Sequence, residues 1–161
     1  MTENFDLDRL VKDLDAGNVP DWIAEHIRIY RESGGREGHL WDASIAGEGL
    51  GLTPTLLLTT VGRKTGQKRT MPLIYGKVGA NHIVIGSKGG SQTHPAWYLN
   101  LLANPEVNLQ VATENFNARA RIATGGERAQ IWKHMLTVYP PYHDYQAKTS
   151  REIPVVVLEK L

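Results

Sequence analysis

Residues 55–87 read TLLLTTVGRKTGQKRTMPLIYGKVGANHIVIGS and contain three apolar runs separated by two short polar turns. The runs are rich in Leu, Ile, Val and Thr, which favours β-strands at residues 55–60, 70–77 and 82–87. The turns at 62–66 and 79–81 contain glycine and are too short for a crossover helix. Strands joined this tightly run antiparallel, so the segment predicts a three-stranded antiparallel sheet.

The sequence that follows extends the same sheet. Apolar and polar residues alternate over 106–113 and 116–123 around Glu114-Asn115, which predicts a further hairpin. An apolar run predicts a closing strand at 153–158. Because hairpins dominate and helices do not alternate strictly with strands, we predict a mainly β fold of the α+β class. The expected architecture is an antiparallel barrel with helical insertions, not a doubly wound parallel sheet.

Helices are predicted before and between these strands. The first is expected to be capped by Asn18 or Asp21 and to end near Arg31. Its apolar face would contain Trp22, Ile23, Ile27 and Tyr30. A second helix is expected over about 95–103 with Thr93 as its N-cap, and a third begins at Gly125-Gly126.

The first third of the chain is expected to differ in character from the rest. Residues 1–20 predict a frayed helix or a partly disordered segment, and the glycines of residues 34–54 predict a long loop. We therefore divide the chain into a variable N-terminal part, residues 1–52, and a barrel domain, residues 53–161.

Composition excludes several classes of protein. The 161 residues include no cysteine, which rules out disulfides, thiolate metal sites and a cysteine nucleophile, and which fits a cytoplasmic protein. The formal charge of +1 gives no reason to expect nucleic acid as a partner. The apolar runs are too short to span a membrane, and the acidic N-terminus does not look like a secretion signal. The histidines show no spacing typical of metal ligands, so no metal site is predicted.

Charge is distributed unevenly along the nearly neutral chain. No Asp or Glu occurs from Gly49 to Pro105, and the cations of this stretch are Arg63, Lys64, Lys68, Arg69, Lys77 and Lys88. Two of its turns, GRKTGQKR at 62–69 and SKGG at 87–90, combine glycine with cations. Glycine lets the backbone approach a ligand, and Arg and Lys bind phosphate. The alternatives are an anion-binding site and a solvated basic face.

Aromatic residues suggest a second wall for such a site. Tyr139, Tyr142 and Tyr145 are spaced by three residues, and Trp97 lies on the predicted helix near Asn100. They form either a polar wall above a flat ligand or a packed aromatic surface. The acid-free stretch offers no pair of carboxylates for acid–base catalysis. A phosphate site beside an aromatic pocket is what an enzyme needs when a redox cofactor carries the chemistry.

Three blocks of the sequence resemble a known family. LLLTTVGRKTGQKRTMPLIY, VIGSKGGSQTHPAWYLNLLANPEVNLQV and YPPYHDYQAKTSREIPVVVLEKL, in this order, resemble the deazaflavin-dependent nitroreductases of actinobacteria. The resemblance covers about Thr53 to Leu161. It implies the split β-barrel of FMN-binding proteins and an oxidoreductase that uses reduced coenzyme F-420. Hydride would pass from this deazaflavin to a small electron acceptor such as a quinone, an activated enone or a nitro-aromatic compound.

The resemblance also implies roles for individual residues. Residues expected to bind the cofactor's phosphate, tail or ring are Arg63, Lys64, Thr65, Arg69, Pro72, Leu73, Ile74, Tyr75, Ile85, Gly86, Ser87, Lys88, Gly89, Ala96, Trp97 and Asn100. Residues expected to shape the acceptor pocket and assist protonation, counted here as catalytic, are Ser87, Tyr139, Tyr142 and Tyr145.

Other interpretations stay open at this point. The chain could be a carrier of F-420 without turnover, which a collapsed space at the three tyrosines would favour, or an FMN-dependent reductase on the same fold. Split barrels often pair, so a homodimer is a further expectation. The predicted face of Trp22, Ile23, Ile27 and Tyr30 could place the protein peripherally on the inner face of the cell membrane, or it could pack on the barrel.

Overall fold

The computed structural model describes residues 6–161. Its elements are α1 (Leu7–Asp15), α2 (Asp21–Glu32), β1 (Leu40–Asp42), β2 (Leu52–Val61), β3 (Lys68–Val78), β4 (Asn81–Ile85), α3 (Ala96–Ala103), β5 (Glu106–Val111), β6 (Glu114–Ile122), α4 (Gly125–Val138), α5 (Tyr142–Ala147) and β7 (Val155–Lys160). All six strands predicted from the sequence are present, with ends shifted by a few residues.

Six of the strands close into an antiparallel barrel. The order is β2-β3-β4-β7-β6-β5, and β5 returns to β2 through the pairs Leu57↔Gln110 and Leu58↔Leu109. The short strand β1 adds to the start of β2, where Trp41 lies opposite Thr53. The split β-barrel prediction is therefore confirmed.

Strands β4 and β7 are buried on both faces, which explains their unbroken apolar sequences. Val84, Val156 and Leu158 point into the barrel. Ile83 and Ile85, which alternate with Val84, point outward into a second core beneath α4 and α5. The second core also contains Tyr139, Tyr142 and Tyr145 of the α4–α5 corner. These tyrosines line a cavity together with residues of β3 and β4.

Residues 34–54 are not one long loop, contrary to the sequence prediction. They contain β1, a short 3₁₀ turn at Ala43–Ile45 and the first residues of β2. Thr55 explains part of this order, because its hydroxyl donates to the carbonyl oxygens of Gly38 at 2.8 Å and His39 at 3.1 Å. The glycines of this segment form turns between ordered elements.

The N-terminal helices pack onto the barrel. On α2, Tyr30 is fully buried, and its hydroxyl donates to the carbonyl of Thr55 at 2.9 Å and accepts from the backbone N–H of Ala112 at 2.7 Å. Ile23 is buried as well. Of the predicted face, these two residues are buried against protein, and Trp22 stacks with Trp41. Within residues 6–161 no helix is long and apolar enough to cross a membrane.

Three details of the helix predictions were wrong. Helix α2 begins after Pro20 and has no side-chain cap, so neither Asn18 nor Asp21 serves as one. Helix α3 begins after Pro95, and Thr93 is two residues too early to cap it. Residues 1–20 are neither frayed nor disordered where the structure describes them, since α1 is an ordered helix with Asp6 as its N-cap; residues 1–5 lie outside the described residues.

Candidate functional site

A cavity of about 990 Å³ lies against the outer face of β3 and the end of β4. The acid-free stretch supplies much of its wall, and five of its six cations line it: Arg63, Lys64, Lys68, Arg69 and Lys88. Of the residues predicted to form the site, those that line the cavity are Arg63, Lys64, Thr65, Arg69, Pro72, Leu73, Ile74, Ile85, Ser87, Lys88, Gly89, Ala96, Trp97, Asn100, Tyr139, Tyr142 and Tyr145.

Two predicted site residues do not line the cavity. Tyr75 packs in the barrel core, where its hydroxyl lies 2.8 Å from Nε2 of His39. Gly86 faces Pro154, and a Cβ added to Gly86 would lie 2.6 Å from the Cγ of that proline. Tyr75 lies one residue beyond the part of β3 that lines the cavity, residues 68–74, and Gly86 is covered by Pro154.

The basic turn between β2 and β3 is tied to α3. The Asn100 carbonyl oxygen accepts from both the backbone N–H and the guanidinium of Arg63, each at 3.1 Å. The amide nitrogen of Asn100 donates to the hydroxyl of Thr60 at 3.1 Å. The turn itself is exposed at Arg63 and Lys64. It therefore presents solvated cations from a fixed backbone at one end of the cavity, which suits a flexible anionic ligand.

The SKGG turn, whose residues Ser87, Lys88 and Gly89 also line the cavity, has an unusual backbone. Lys88, Gly89 and Gly90 have successive φ values of 43°, 63° and 87°, so a non-glycine residue lies in the left-handed region. At Gly90 a Cβ would also lie 2.7 Å from the backbone oxygen of Tyr145. Such a turn persists only where its surroundings hold it.

Arg151 supplies that support, a role that was not predicted from the sequence. Its guanidinium donates to the carbonyl oxygens of Gly86 at 3.0 Å, Ser87 at 2.8 Å and Ser91 at 2.8 Å. The C=O and N–H of a trans peptide point in opposite directions, so the N–H groups of Ser87 and Lys88 point away from Arg151. Neither N–H donates to another residue within 6–161. The arrangement leaves backbone donors available for an anion or a carbonyl.

The side chain of Lys88 is already paired in this structure. Its ammonium lies 2.7 Å from Oδ1 of Asp15, at the end of α1, and only 9% of the lysine side chain is exposed. The hydroxyls of Ser91 and Thr93 donate to the same carboxylate oxygen at 2.8 Å and 3.2 Å. Partial burial raises the pKa of Asp15, but the hydrogen bonds from Lys88, Ser91 and Thr93 outweigh it and bring that pKa below its usual value. The carboxylate is therefore ionised near neutral pH.

The three tyrosines form the third side of the cavity. Tyr139 ends α4, and Tyr142 and Tyr145 lie on α5. The hydroxyls of Tyr139 and Tyr145 hydrogen-bond each other at 2.8 Å, and the ring of Tyr142 meets that of Tyr139 edge to face with centroids 4.9 Å apart. The hydroxyl of Tyr142 has no hydrogen-bond partner among residues 6–161. Burial raises the pKa of all three phenols, so each stays protonated and can donate a hydrogen bond.

The N-terminal helices complete the cavity, which the sequence did not predict. Leu7, Leu10 and Leu14 of α1 line it, as do residues of α2. Trp22 and Trp41 stack with their rings 6.4 Å apart at an angle of 14°, and Trp41 also meets the ring of Tyr139 at 6.5 Å. The apolar spacing of residues 7, 10 and 14 was the available signal, but it does not say what such a short helix covers.

Residues 22–160 match the sequence model of the F420H(2)-dependent quinone reductases. The chain belongs to this family. An F420H(2)-dependent quinone reductase of Mycobacterium tuberculosis is 38% identical over 155 residues, which cover 89% of this chain and 99% of the relative. A putative family member from Mycobacterium bovis matches with the same identity and coverage.

Two solved structures are also similar to this chain. An F420-H2 dependent reductase is 42% identical, superimposes with a TM-score of 0.62, and is matched over 66% of this chain and 94% of its own. A second structure, described as a domain-swapped dimer, is 38% identical with a TM-score of 0.65, over 86% of this chain and 98% of its own.

Membership in the F420H(2)-dependent quinone reductase family confirms several predictions together. It confirms the resemblance to deazaflavin-dependent reductases, the assignment as an oxidoreductase and F-420 as the cofactor. Tyr139, Tyr142 and Tyr145 all line the cavity, and the family assignment favours an enzyme over a carrier.

Proposed function

We propose that this chain reduces a quinone with reduced coenzyme F-420, bound in the cavity between the basic turn and the three tyrosines. The observation that carries the proposal is the cavity itself, which joins a cationic end, an apolar floor and a wall of protonated phenols. When bound, reduced F-420 supplies a hydride. The chain's own residues then have to bind, orient and deliver a proton.

The residues present fit this cofactor. Arg63, Lys64, Lys68 and Arg69 offer solvated cations to its acidic tail, and Lys88 on the second basic turn is placed for its phosphate or a carboxylate. Pro72, Ile74 and Ile85 form an apolar floor for a flat ring. The N–H groups of Ser87 and Lys88 are free to donate to a ring carbonyl. Tyr75 and Gly86, which lie off the cavity, would act only by supporting the residues beside them.

The tyrosine wall suits the electron acceptor. A quinone is flat and carries oxygens that gain negative charge on reduction, so it needs an aromatic surface and a proton donor. The rings of Trp41, Tyr139 and Tyr142 offer the surface. Among the three tyrosines, the hydroxyls of Tyr139 and Tyr145 bond each other, and that of Tyr142 has no hydrogen-bond partner in the described residues. We therefore propose that the Tyr142 hydroxyl donates a hydrogen bond to the acceptor oxygen.

Association of two copies is the remaining part of the proposal. The solved relative described as a domain-swapped dimer supports a homodimer here. Peripheral membrane contact through the apolar face of α2 would require Ile23 and Tyr30 to leave the barrel, so any such contact has to use other residues. Light scattering on the purified chain tests the dimer: a single mass near 17.9 kDa would refute it.

The test of the function is a titration of the purified protein with F-420, with FMN in parallel, followed by tryptophan fluorescence. Trp97 and Trp41 line the cavity and should report ligand binding. We expect F-420 alone to bind, and the protein to oxidise F420H(2) when a soluble quinone is added, with an activated enone and a nitro-aromatic compound in the same screen. Binding of FMN alone would move the protein to the flavin branch of the fold. Binding of neither would refute the proposal.

A further inference from the structure

Asp15 occupies a preformed anion site. Its carboxylate receives one ammonium and two hydroxyl hydrogen bonds, from Lys88, Ser91 and Thr93, and all of them reach the same oxygen. A phosphate or carboxylate oxygen of a ligand would find the same three donors. The site is held by the Arg151 contacts to the turn, so it does not depend on Asp15 for its shape.

The ion pair leaves Lys88 no charge to offer. Its ammonium is almost fully enclosed, and its other contacts are the Thr93 hydroxyl at 2.9 Å and the His94 carbonyl at 3.5 Å. A second anion arriving while Asp15 is present would meet a neutral pair and add a negative charge beside the aspartate. Binding of an anion at Lys88 therefore requires Asp15 to leave.

Helix α1 can leave at small cost because it is lightly attached. None of its residues is buried. Leu7 and Val11 rest on Gly89, where a Cβ would lie 2.9 Å from the Leu7 Cδ1 and 2.7 Å from the Val11 Cγ2. A segment held by half-buried apolar contacts, one ion pair and two hydroxyl hydrogen bonds is of the kind that opens locally while the domain stays folded.

We propose that Asp15 competes within the chain for the anion site of Lys88, and that α1 is a strap which the cofactor's phosphate or carboxylate releases. The proposal rests on the proposed function, since F-420 provides the competing anion. Because Leu10 and Leu14 of the same helix line the cavity, release of Asp15 would also uncover the cavity. The cofactor would then bind before the acceptor, and its apparent affinity would be reduced by the fraction of molecules with the strap closed.

The experiment compares Asp15→Asn with Asp8→Asn by F-420 titration. Asp8 lies on the same helix and is exposed, so its substitution removes the same charge without touching the site. We expect Asp15→Asn to bind F-420 about three- to tenfold more tightly, the range of a partly exposed ion pair, and the control to be unchanged. In a Lys88→Ala background the same substitution should have no effect. Weaker binding by Asp15→Asn would show that Asp15 holds the ligand in, and equal binding would show no competition; either overturns the proposal.

A second readout needs no turnover and separates this proposal from the proposed function. Hydrogen exchange of the amides of residues 7–15 should be faster in Asp15→Asn than in Asp8→Asn without any ligand. In the wild-type chain it should rise on addition of F-420, and of inorganic phosphate used as a probe. Unchanged exchange in Asp15→Asn would refute the strap even if F-420 binds. Fast exchange in that variant with no F-420 binding to any variant would instead refute the function.

Discussion

Substitution of Tyr142 by Phe separates the roles of the three phenols. The change removes one hydroxyl from the tyrosine wall and keeps the ring, which packs edge to face on Tyr139 and Tyr145. The Tyr142 hydroxyl makes no hydrogen bond within residues 6–161. The same change at Tyr145 would break the 2.8 Å bond to Tyr139 and leave that hydroxyl unpaired in the wall.

These contacts set different magnitudes for the two variants. Tyr142→Phe should change the free energy of unfolding by less than about 0.5 kcal/mol, because no internal bond is lost. Tyr145→Phe should lower it by about 1 kcal/mol, the net worth of one hydrogen bond. For catalysis, loss of a hydrogen bond to the acceptor oxygen lowers kcat about tenfold, whereas loss of a proton donor lowers it about 100-fold or more.

The assays are urea unfolding, F-420 titration and steady-state oxidation of F420H(2) with a soluble quinone. We expect Tyr142→Phe to keep cofactor affinity and stability while kcat falls at least tenfold. Because burial raises the pKa of Tyr142, the loss should be the same at every pH between about 6 and 9. An unchanged kcat would refute the assignment of this hydroxyl to the acceptor and leave the residue a packing role.

Four further predictions concern residues outside the wall formed by Tyr139, Tyr142 and Tyr145. Arg151→Lys should weaken F-420 binding about tenfold, because a compact ammonium lacks the planar fork whose separate nitrogens reach the three carbonyls. Arg128→Lys is the control, since Arg128 is partly buried and also binds a backbone carbonyl, and it should leave binding unchanged. Equal effects of the two variants in the titration would count against the positioning role of Arg151. Tyr30→Phe should lower the free energy of unfolding by about 2 kcal/mol for its two buried bonds, measured in urea. Burial raises the pKa of Tyr30 to about 12, so the folded state favours the protonated phenol and stability should fall as the pH rises from about 10 toward 12, with a smaller fall in Tyr30→Phe. Gly35→Ala should give little folded protein by circular dichroism, because φ is +84° and its Cβ would overlap the carbonyl of Ala112.

Local sequence predicted the barrel well because its determinants are local. β-Branched or alternating residues indicate each strand, and glycines indicate the hairpin turns. The strands at 70–77 and 82–87 could therefore be predicted without reference to distant residues. The same holds for most of the cavity wall, since the basic turn and the SKGG turn each lie within a few residues of a strand end.

Contacts between residues far apart in the chain could not be predicted from the sequence. Lys88 lines the cavity, but its partner Asp15 comes from a helix that the sequence left undecided. The role of Arg151 was not predicted, because the sequence around an arginine in a loop does not indicate which backbone carbonyls it will bind. Thr93 was predicted as a helix cap, whereas its hydroxyl serves the Asp15 carboxylate, an alternative that depends on tertiary placement.

The place of β7 in the barrel affects how the chain acquires its structure. This strand is the last of the described strands in sequence, yet it lies between β4 and β6 rather than at an edge. Until residues 155–160 have been synthesised, β4 and β6 each present an unpaired edge to other chains. The barrel therefore cannot close during synthesis of the earlier strands, and its folding has to wait for a late, non-local pairing. Nascent chains should depend on cellular protection against aggregation during that interval.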